Sequence, residues 1–378
     1  MNNLSYTLIW KAFCFSFIMN SRERRELRYL RRKKKREDKI KRRSDLFADI
    51  NRCFSFSIVM KYSFKCCNGV GFKKSTQFFK LHQFTIISNT CYNIKNNKYK
   101  VSDTYRFIIN ERGKVRVIDA PHIKDRLVHK VISNEILIPL YEPHLIYDNG
   151  ASQVGKGFTF AMNRVKEKLL YNYKKYSSGC VVLIDFSKFF ENCSHEVIHK
   201  IHKKYIKNDY VIKLIEDYLF IGKGIALGVE IAQKEASIIP NVLDHYVQNS
   251  GCSIVRYMDD TVFFTSDYNK AKNVLEWYNY LSNKYGIIIN KRKTKILKIN
   301  ECFKYCKWIY NIDKNNRIYI VPDKSTIYRQ RRKLSRMIKN KIDSCEIETV
   351  KNCFCAYLNN GDSFKYIDYL NKKYLLNY

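Results

Sequence analysis

The 378-residue sequence predicts an α+β fold in which a buried sheet is flanked by helices. Three observations predict it. Short apolar runs, Val181-Val182-Leu183-Ile184 and the stretch from Ile254 to Phe264, have the length of buried strands. Longer stretches at 123–142, 158–176, 194–218, 230–248 and 268–285 carry helical periodicity. Strands and helices do not alternate as regular βαβ units, and no internal repeat interrupts the pattern.

In chain order, Leu4 to Met19 is mostly apolar but holds Lys11, is too short to span a bilayer comfortably, and has no small-residue cleavage site after it. The expectation is that Met19 is the physiological start or that 1–18 is a disordered leader, with a membrane anchor as the runner-up and no membrane partner expected. Residues 22–43 form a charge run of fourteen Lys and Arg against Glu23, Glu26, Glu37 and Asp38. Leu27, Leu30 and Ile40 are too few to bury a face, so this reads as a basic arm, solvated alone and ordered on nucleic acid. Together, 1–50 is leader and arm. From residue 51 the composition turns globular. Residues 104–120 read as two strands joined by a turn at Arg112-Gly113. Ile287-Ile288-Ile289 and 317–321 read as further strands. Residues 324–343 form a basic amphipathic helix, and 346–378 are mostly helical.

Composition narrows the function. Seventy Lys and Arg stand against 35 Asp and Glu, a net charge of +35. Self-repulsion of that size destabilises a compact state unless a polyanion neutralises it. Nucleic acid is the expected partner, through counterion release along a phosphate backbone. The thirteen cysteines show no facing Cys-x-x-Cys pairs, which argues against a zinc ribbon and a disulfide framework. They fit a reducing cytoplasm.

Two acidic sites interrupt strands where burial should exclude charge. Asp185 ends the run that starts at Val181, and Asp259-Asp260 sits between Tyr257-Met258 and Thr261-Val262-Phe263-Phe264. A bare Asp-Asp pair is equally a surface turn. Apolar flanks on both sides and a second strand-borne Asp favour a metal site, since a cation offsets the cost of buried carboxylates. Two such sites side by side suit in-line phosphoryl displacement with two metal ions.

Tyr257-Met258-Asp259-Asp260 resembles the metal-binding hairpin of reverse transcriptases. Other blocks resemble that family in the same order: Lys114-Val115-Arg116, Asp125-Arg126 and Asp148-Asn149-Gly150, then Asp185-Phe186-Ser187-Lys188-Phe189-Phe190. Gly224-Ile225-Ala226-Leu227-Gly228 with Ala232-Gln233, Asn290 with Lys293-Thr294-Lys295, and Phe303-Lys304-Tyr305-Cys306-Lys307-Trp308 follow. The resemblance implies a right-hand polymerase with fingers (51–180), an antiparallel palm sheet flanked by helices (181–322, with a fingers segment near 194–220) and a helical thumb (323–378). It implies an RNA-directed DNA polymerase using two Mg²⁺ ions, or Mn²⁺, with an RNA template, a DNA or RNA primer and dNTPs.

The resemblance also implies roles. Asp185 and Asp259 would bridge the metals, with Asp260 in support. Lys114, Arg116, Phe186, Phe190, Gln233 and Lys293 would contact the dNTP, Phe190 as a gate against the ribose 2′-hydroxyl. Cys306, Lys307 and Trp308 would grip the primer. Arg329, Arg332, Lys333 and Arg336 would track the nucleic-acid backbone, and the basic arm would hold a structured non-coding RNA. Leu227 departs from the Gln that many reverse transcriptases carry there. It is similar to the enzymes of diversity-generating retroelements and of bacterial phage defence, so a bacterial or phage-encoded chain and lowered base discrimination are expected. A non-catalytic RNA-binding protein on a polymerase scaffold is the alternative, against which the intact Asp185, Asp259 and Asp260 argue.

Two other motifs compete. His195-Glu196-Val197-Ile198-His199 matches the zinc-protease helix pattern, but no third ligand follows at the needed spacing. Gly69-Val70-Gly71-Phe72-Lys73-Lys74-Ser75-Thr76 has its glycines misplaced for a phosphate-binding loop and reads as a basic loop.

Overall fold

The computed structural model describes residues 20–111 and 113–374. The 1–18 leader and the start at Met19 lie outside the described residues, as does Arg112 of the expected turn. The chain begins with helices α1 (Ser21–Phe47), α2 (Ile50–Cys53), α3 (Phe56–Cys66), α4 (Lys74–Leu81) and α5 (Gln83–Lys95). Strands β1 (Tyr105–Glu111) and β2 (Lys114–Ala120) are followed by α6 (Ile123–Val131), a π-helical turn (Ile132–Leu137) and α7 (Ile138–Tyr141). Next come α8 (Phe158–Lys175), β3 (Cys180–Ile184), α9 (Phe189–Asn192), α10 (His195–Tyr205), α11 (Asp209–Leu219), α12 (Glu230–Ile238) and α13 (Asn241–Asn249). The hairpin β4 (Ser253–Tyr257) and β5 (Asp260–Thr265) leads to α14 (Tyr268–Lys284), β6 (Lys295–Lys298), β7 (Phe303–Tyr305), β8 (Trp308–Ile312) and β9 (Ile318–Pro322). Helices α15 (Lys324–Lys339), α16 (Ser344–Leu358) and α17 (Phe364–Lys373) close the chain.

The 22–43 arm, expected to order on nucleic acid, is helical without it, because Asn20 and Glu23 cap its start. Most of the expected helices and strands hold, with three differences. The stretch 194–218 splits because the Asn208 side chain accepts the Tyr210 and Val211 amides and so starts α11. The stretch 230–248 splits at Pro240, which lacks the amide to continue a helix and caps α13 instead. Ile287-Ile288-Ile289 is not a strand. Only Ile289 forms a bridge, to Phe186, and the sheet position beyond β3 is taken by β6. Lys295 and Lys298 make β6 a charged edge strand, which apolar-run counting passes over.

The chain forms two compact units built from interleaved segments rather than contiguous ranges. One combines the chain up to Val101 with Ile123–Leu140 and Lys200–Ile215. It is helical. α3 packs chiefly on α6, and Val59, Ile87, Leu127, Val128 and Val131 are fully buried. Glu135 accepts from Arg52 at 3.1 Å and from the Tyr62 hydroxyl at 2.8 Å, tying the π-helical turn to the N-terminal helices.

The other unit holds Ser102–His122, Tyr141–His199 and Glu216 onward. Its centre is a four-stranded antiparallel sheet in the order β4-β5-β3-β6. Val181, Val255, Val262 and Phe264 share a core with Ala161, Met162, Val165 and Leu169 of α8 and with the three-stranded sheet β7-β8-β9. The C-terminal helices have a small core of their own around Leu334, Ile347, Phe354, Leu358 and Leu370. They close on β9 through Asp362, which exchanges hydrogen bonds with Ile320 at 2.7 and 2.8 Å. Beside it, Gly361 lies so near Trp308 that a Cβ there would sit 2.3 Å from the indole ring.

Candidate active site

The register of the sheet brings the acidic residues together. β4 and β5 pair Tyr257 with Asp260, leaving Met258-Asp259 as a two-residue turn. β3 and β5 pair Ile184 with Thr261, so one further antiparallel step sets Asp185 opposite Asp260. Met258 holds the left-handed turn position at φ 56°. The short, apolar strands are what carry these carboxylates to one end of a buried sheet.

The electrostatics are those of crowded anions. Burial, then the charges of Asp259 and Asp185, push Asp260 up to about 6, while Cys306 and Lys293 act in the opposite direction. Lys293 Nζ lies 2.9 Å from both Asp185 oxygens, and Asn290 Nδ2 donates to Oδ2 at 3.2 Å. On the other side, the Tyr305 hydroxyl donates to the Asp260 carbonyl at 3.4 Å. The Cys306 thiol, kept protonated by burial and by Asp260, donates to Asp260 Oδ2 at 3.5 Å.

One buried residue fixes the hairpin from beneath. Arg256 is fully buried, and its Nε donates to both Asp244 oxygens at 2.7 and 2.8 Å. Burial works against its charge, but Asp244 more than offsets that and keeps the guanidinium protonated. Nη1 donates to the Met258 carbonyl at 3.3 Å and Nη2 to the Tyr278 hydroxyl at 3.1 Å. The guanidinium also lies 5.4 Å from the centre of the Phe186 ring. Asp148-Asn149-Gly150 pairs with the Arg256 backbone, covering the open edge of β4. The motif reading assigned no role to Arg256. A charge inside an apolar strand run signals it, but its partner Asp244 sits in a separate helix and carries no local signal.

The other expected site residues divide. Phe190 is half-buried, and its carbonyl accepts the Ile225 amide at 2.8 Å. Gly224 makes that approach possible, since its φ is +75° and a Cβ would lie 2.1 Å from the Phe190 carbonyl oxygen. The Leu227 carbonyl accepts the Asp119 amide at 2.7 Å, joining β2 to the middle block, and Gln233 is exposed on α12. Lys114 and Arg116 lie on the exposed β1–β2 hairpin, where Arg116 faces Glu111 at 3.5 Å. Phe186 and Trp308 are core side chains: Phe186 stacks on Phe189, and Trp308 packs on Tyr357. Lys307 stands in the β7–β8 turn, its carbonyl accepting the Asp323 amide at 3.0 Å. Arg329, Arg332, Lys333 and Arg336 share one groove along α15. His195 hydrogen-bonds the Gly224 carbonyl at 2.6 Å, whereas His199 pairs with Glu216 at 2.9 Å, so the zinc-like pattern spends its two rings on separate partners.

A family model described as reverse transcriptase (RNA-dependent DNA polymerase) matches residues 95–334. The chain belongs to the reverse transcriptase family. A right-hand polymerase fold of mixed helix and antiparallel sheet goes with that membership. No curated protein matches the sequence significantly. Among solved structures, telomerase from Candida albicans in complex with the TWJ fragment of telomeric RNA is similar at 13% identity and TM-score 0.45, over 66% of this chain and 50% of that one. Apo telomerase from Candida tropicalis, truncated from the C-terminal domain, is similar at 12% identity and TM-score 0.41, over 63% and 60%. The chain thus spans half to three-fifths of those structures.

The reverse transcriptase family generally uses divalent metal ions, and carboxylates are the donors such hard cations take. Among the described residues no group of three or more His, Cys, Asp and Glu is placed to hold a metal ion. Mg²⁺ does not ask for one, because it takes one or two carboxylates and completes its shell with water and substrate phosphate. Asp260, held at about 6 by burial and by the charges of Asp259 and Asp185, is a carboxyl that a cation would ionise. Also among the described residues, no helix is long and apolar enough to cross a membrane.

Proposed function

We propose that the chain is an RNA-directed DNA polymerase that extends a DNA or RNA primer on an RNA template with dNTPs. The observation that carries this reading is the convergence of Asp185, Asp259 and Asp260 at the ends of adjacent strands, inside a reverse transcriptase chain. Two Mg²⁺ ions, or Mn²⁺, would supply Lewis-acid polarisation of the primer 3′-hydroxyl and neutralisation of the leaving pyrophosphate. Asp185 and Asp259 would hold them with Asp260 in support, and Lys293, which lies on Asp185 at 2.9 Å, would assist the pyrophosphate. Phe190 walls the sugar side of the nucleotide and selects against a 2′-hydroxyl. Lys114 and Arg116 meet the triphosphate, Cys306 and Lys307 position the primer end, and the α15 cations follow the duplex backbone.

In this reading 51–180 act as fingers, 181–322 as palm and 323–378 as thumb, and the α1 arm grips a structured RNA. Leu227 supports a stand-alone bacterial or phage-encoded enzyme working in the cytoplasm with relaxed base discrimination, in phage defence, diversity generation or a mobile element. The test is primer extension on poly(rA)/oligo(dT) with Mg²⁺. Incorporation by the native chain and its loss in Asp259→Ala are expected. A native chain as inactive as Asp259→Ala would favour a non-catalytic RNA-binding protein.

A further inference from the structure

Helix α1 is unusual in being both preformed and almost wholly solvated. Asn20 and Glu23 close a capping box at its start, with bonds of 2.9 and 3.1 Å. Every residue from Ser21 to Lys39 is exposed. Its far end is rooted within the helical unit: Ser44 is buried and accepts the Lys207 amide at 2.7 Å, and Arg43 donates to the Pro139 carbonyl at 2.6 Å.

Its charges are sorted by face. Arg25, Arg28, Arg32, Lys35, Arg36 and Lys39 line one shallow groove along the helix. At about 100° per residue, the half of the circumference centred on them contains no Asp or Glu. Glu23, Glu26, Glu37, Asp38 and Asp45 all fall on the other half, together with Leu27 and Leu30. Like charges at i+3 and i+4 repel and weaken a helix, so an anion lying along such a row would stabilise it. The row from Arg25 to Lys39 is straight and about 21 Å long at 1.5 Å per residue. Tyr29 is the one aromatic beside it, too little to stack the bases of a single strand. The helix has no Asn, Gln or Thr, and its Arg and Lys cannot reach base edges in the deep, narrow major groove of an RNA duplex, so they are left to the phosphates.

We propose that this acid-free face of α1 is a docking surface for the phosphate backbone of a duplex segment of RNA, bound without regard to sequence. The choice of RNA rests on reading the arm as an RNA grip; the face and the duplex form rest on the charge sorting and the missing aromatics.

The experiment measures fluorescence anisotropy of the full chain against a 20-base-pair RNA duplex, a matching DNA duplex and a 20-nucleotide single-stranded RNA, across a salt series. Two triple variants change net charge equally: Arg25→Glu/Arg28→Glu/Arg32→Glu on the proposed face, and Lys33→Glu/Lys34→Glu/Lys41→Glu off it. Expected is a tenfold or greater loss of RNA-duplex affinity for the first, with a salt slope shallower by about 2–3, and under threefold loss for the second. The milder Arg25→Gln/Arg28→Gln/Arg32→Gln, with helicity followed by circular dichroism, guards against a folding defect. Equal losses from both faces, no loss from either, tighter binding of the single strand, or a tenfold preference for the DNA duplex would each overturn the proposal. Primer extension on a short unstructured template is run alongside. Duplex binding without extension would sink the polymerase reading alone, and extension without face-dependent binding would sink this one alone.

Discussion

The β4–β5 and β7–β8 hairpins meet at Asp260, and each closes through two residues with a non-glycine residue in left-handed backbone. In the carboxylate hairpin only Met258 is left-handed, at 56°. In the β7–β8 hairpin both turn residues are, Cys306 at 48° and Lys307 at 70°. Such positions ordinarily take Gly or Asn, and a larger residue costs on the order of 1 kcal/mol there. The two turns are held differently. Met258 is tied from inside by the buried Arg256–Asp244 pair, whereas Lys307 is tied from outside, through the Asp323 amide and the exposed Lys304–Asp323 pair. Strain at a functional turn thus persists with either support, but the inner one stakes far more stability on a single side chain.

The largest expected effect breaks the inner support. Arg256→Met leaves Asp244 buried and unpaired, and should cost about 3–5 kcal/mol in chemical denaturation. Arg256→Met/Asp244→Leu should recover most of that stability while primer extension stays low, because nothing then holds the Met258 carbonyl. Recovered extension in the double variant would show that the pair serves folding only.

Next comes the carboxylate where the hairpins touch. The folded value of Asp260, about 6, stands above its ordinary 3.8, so the native state keeps the extra proton between those limits. Stability of the metal-free chain should therefore fall as pH rises through that window. Asp260→Asn should remove the fall, raise stability near pH 8 by on the order of 1 kcal/mol, and abolish extension. Mg²⁺ should raise the Tm of the native chain more near pH 8 than near pH 4.5, where Asp260 holds its proton; equal shifts at both would count against cation binding that involves Asp260.

The smallest effects belong to the outer support. Lys304→Met should cost no more than about 1 kcal/mol by thermal melting, since the pair with Asp323 is screened by solvent. Lys307→Gly should change stability by only about 0.5 kcal/mol, relief of the left-handed turn being nearly offset by lost chain stiffness. A loss above 2 kcal/mol from either would erase the contrast between the hairpins.

The same contrast shows what a sequence displays. Asp185 and Asp259-Asp260 were legible because charge interrupts apolar strands, and Lys293 and Cys306 because their blocks follow in family order. Asp244 was not, for it looks like any helical Asp until the fold buries it against Arg256. The helices between residues 56 and 95 mix Phe, Cys and Lys without a clear apolar stripe, and their packing against α6 is set by partners far along the chain. Ile287-Ile288-Ile289 misled because three apolar residues in a row say nothing of whether a neighbouring strand is free to pair. Trp308 drew notice as a contact residue through its block, while its burial follows from Gly361, some fifty residues on.

That glycine has a mechanical consequence. The C-terminal helices carry their own core and touch β9 through a stitch at Asp362, with Gly361 pressed on the Trp308 indole. The missing side chain is the clearance of a bearing: it lets the segment after α16 lie against Trp308 of β8 and Ile320 of β9. One methyl group at position 361 would act as a shim, prising the C-terminal helices from Trp308 and Ile320.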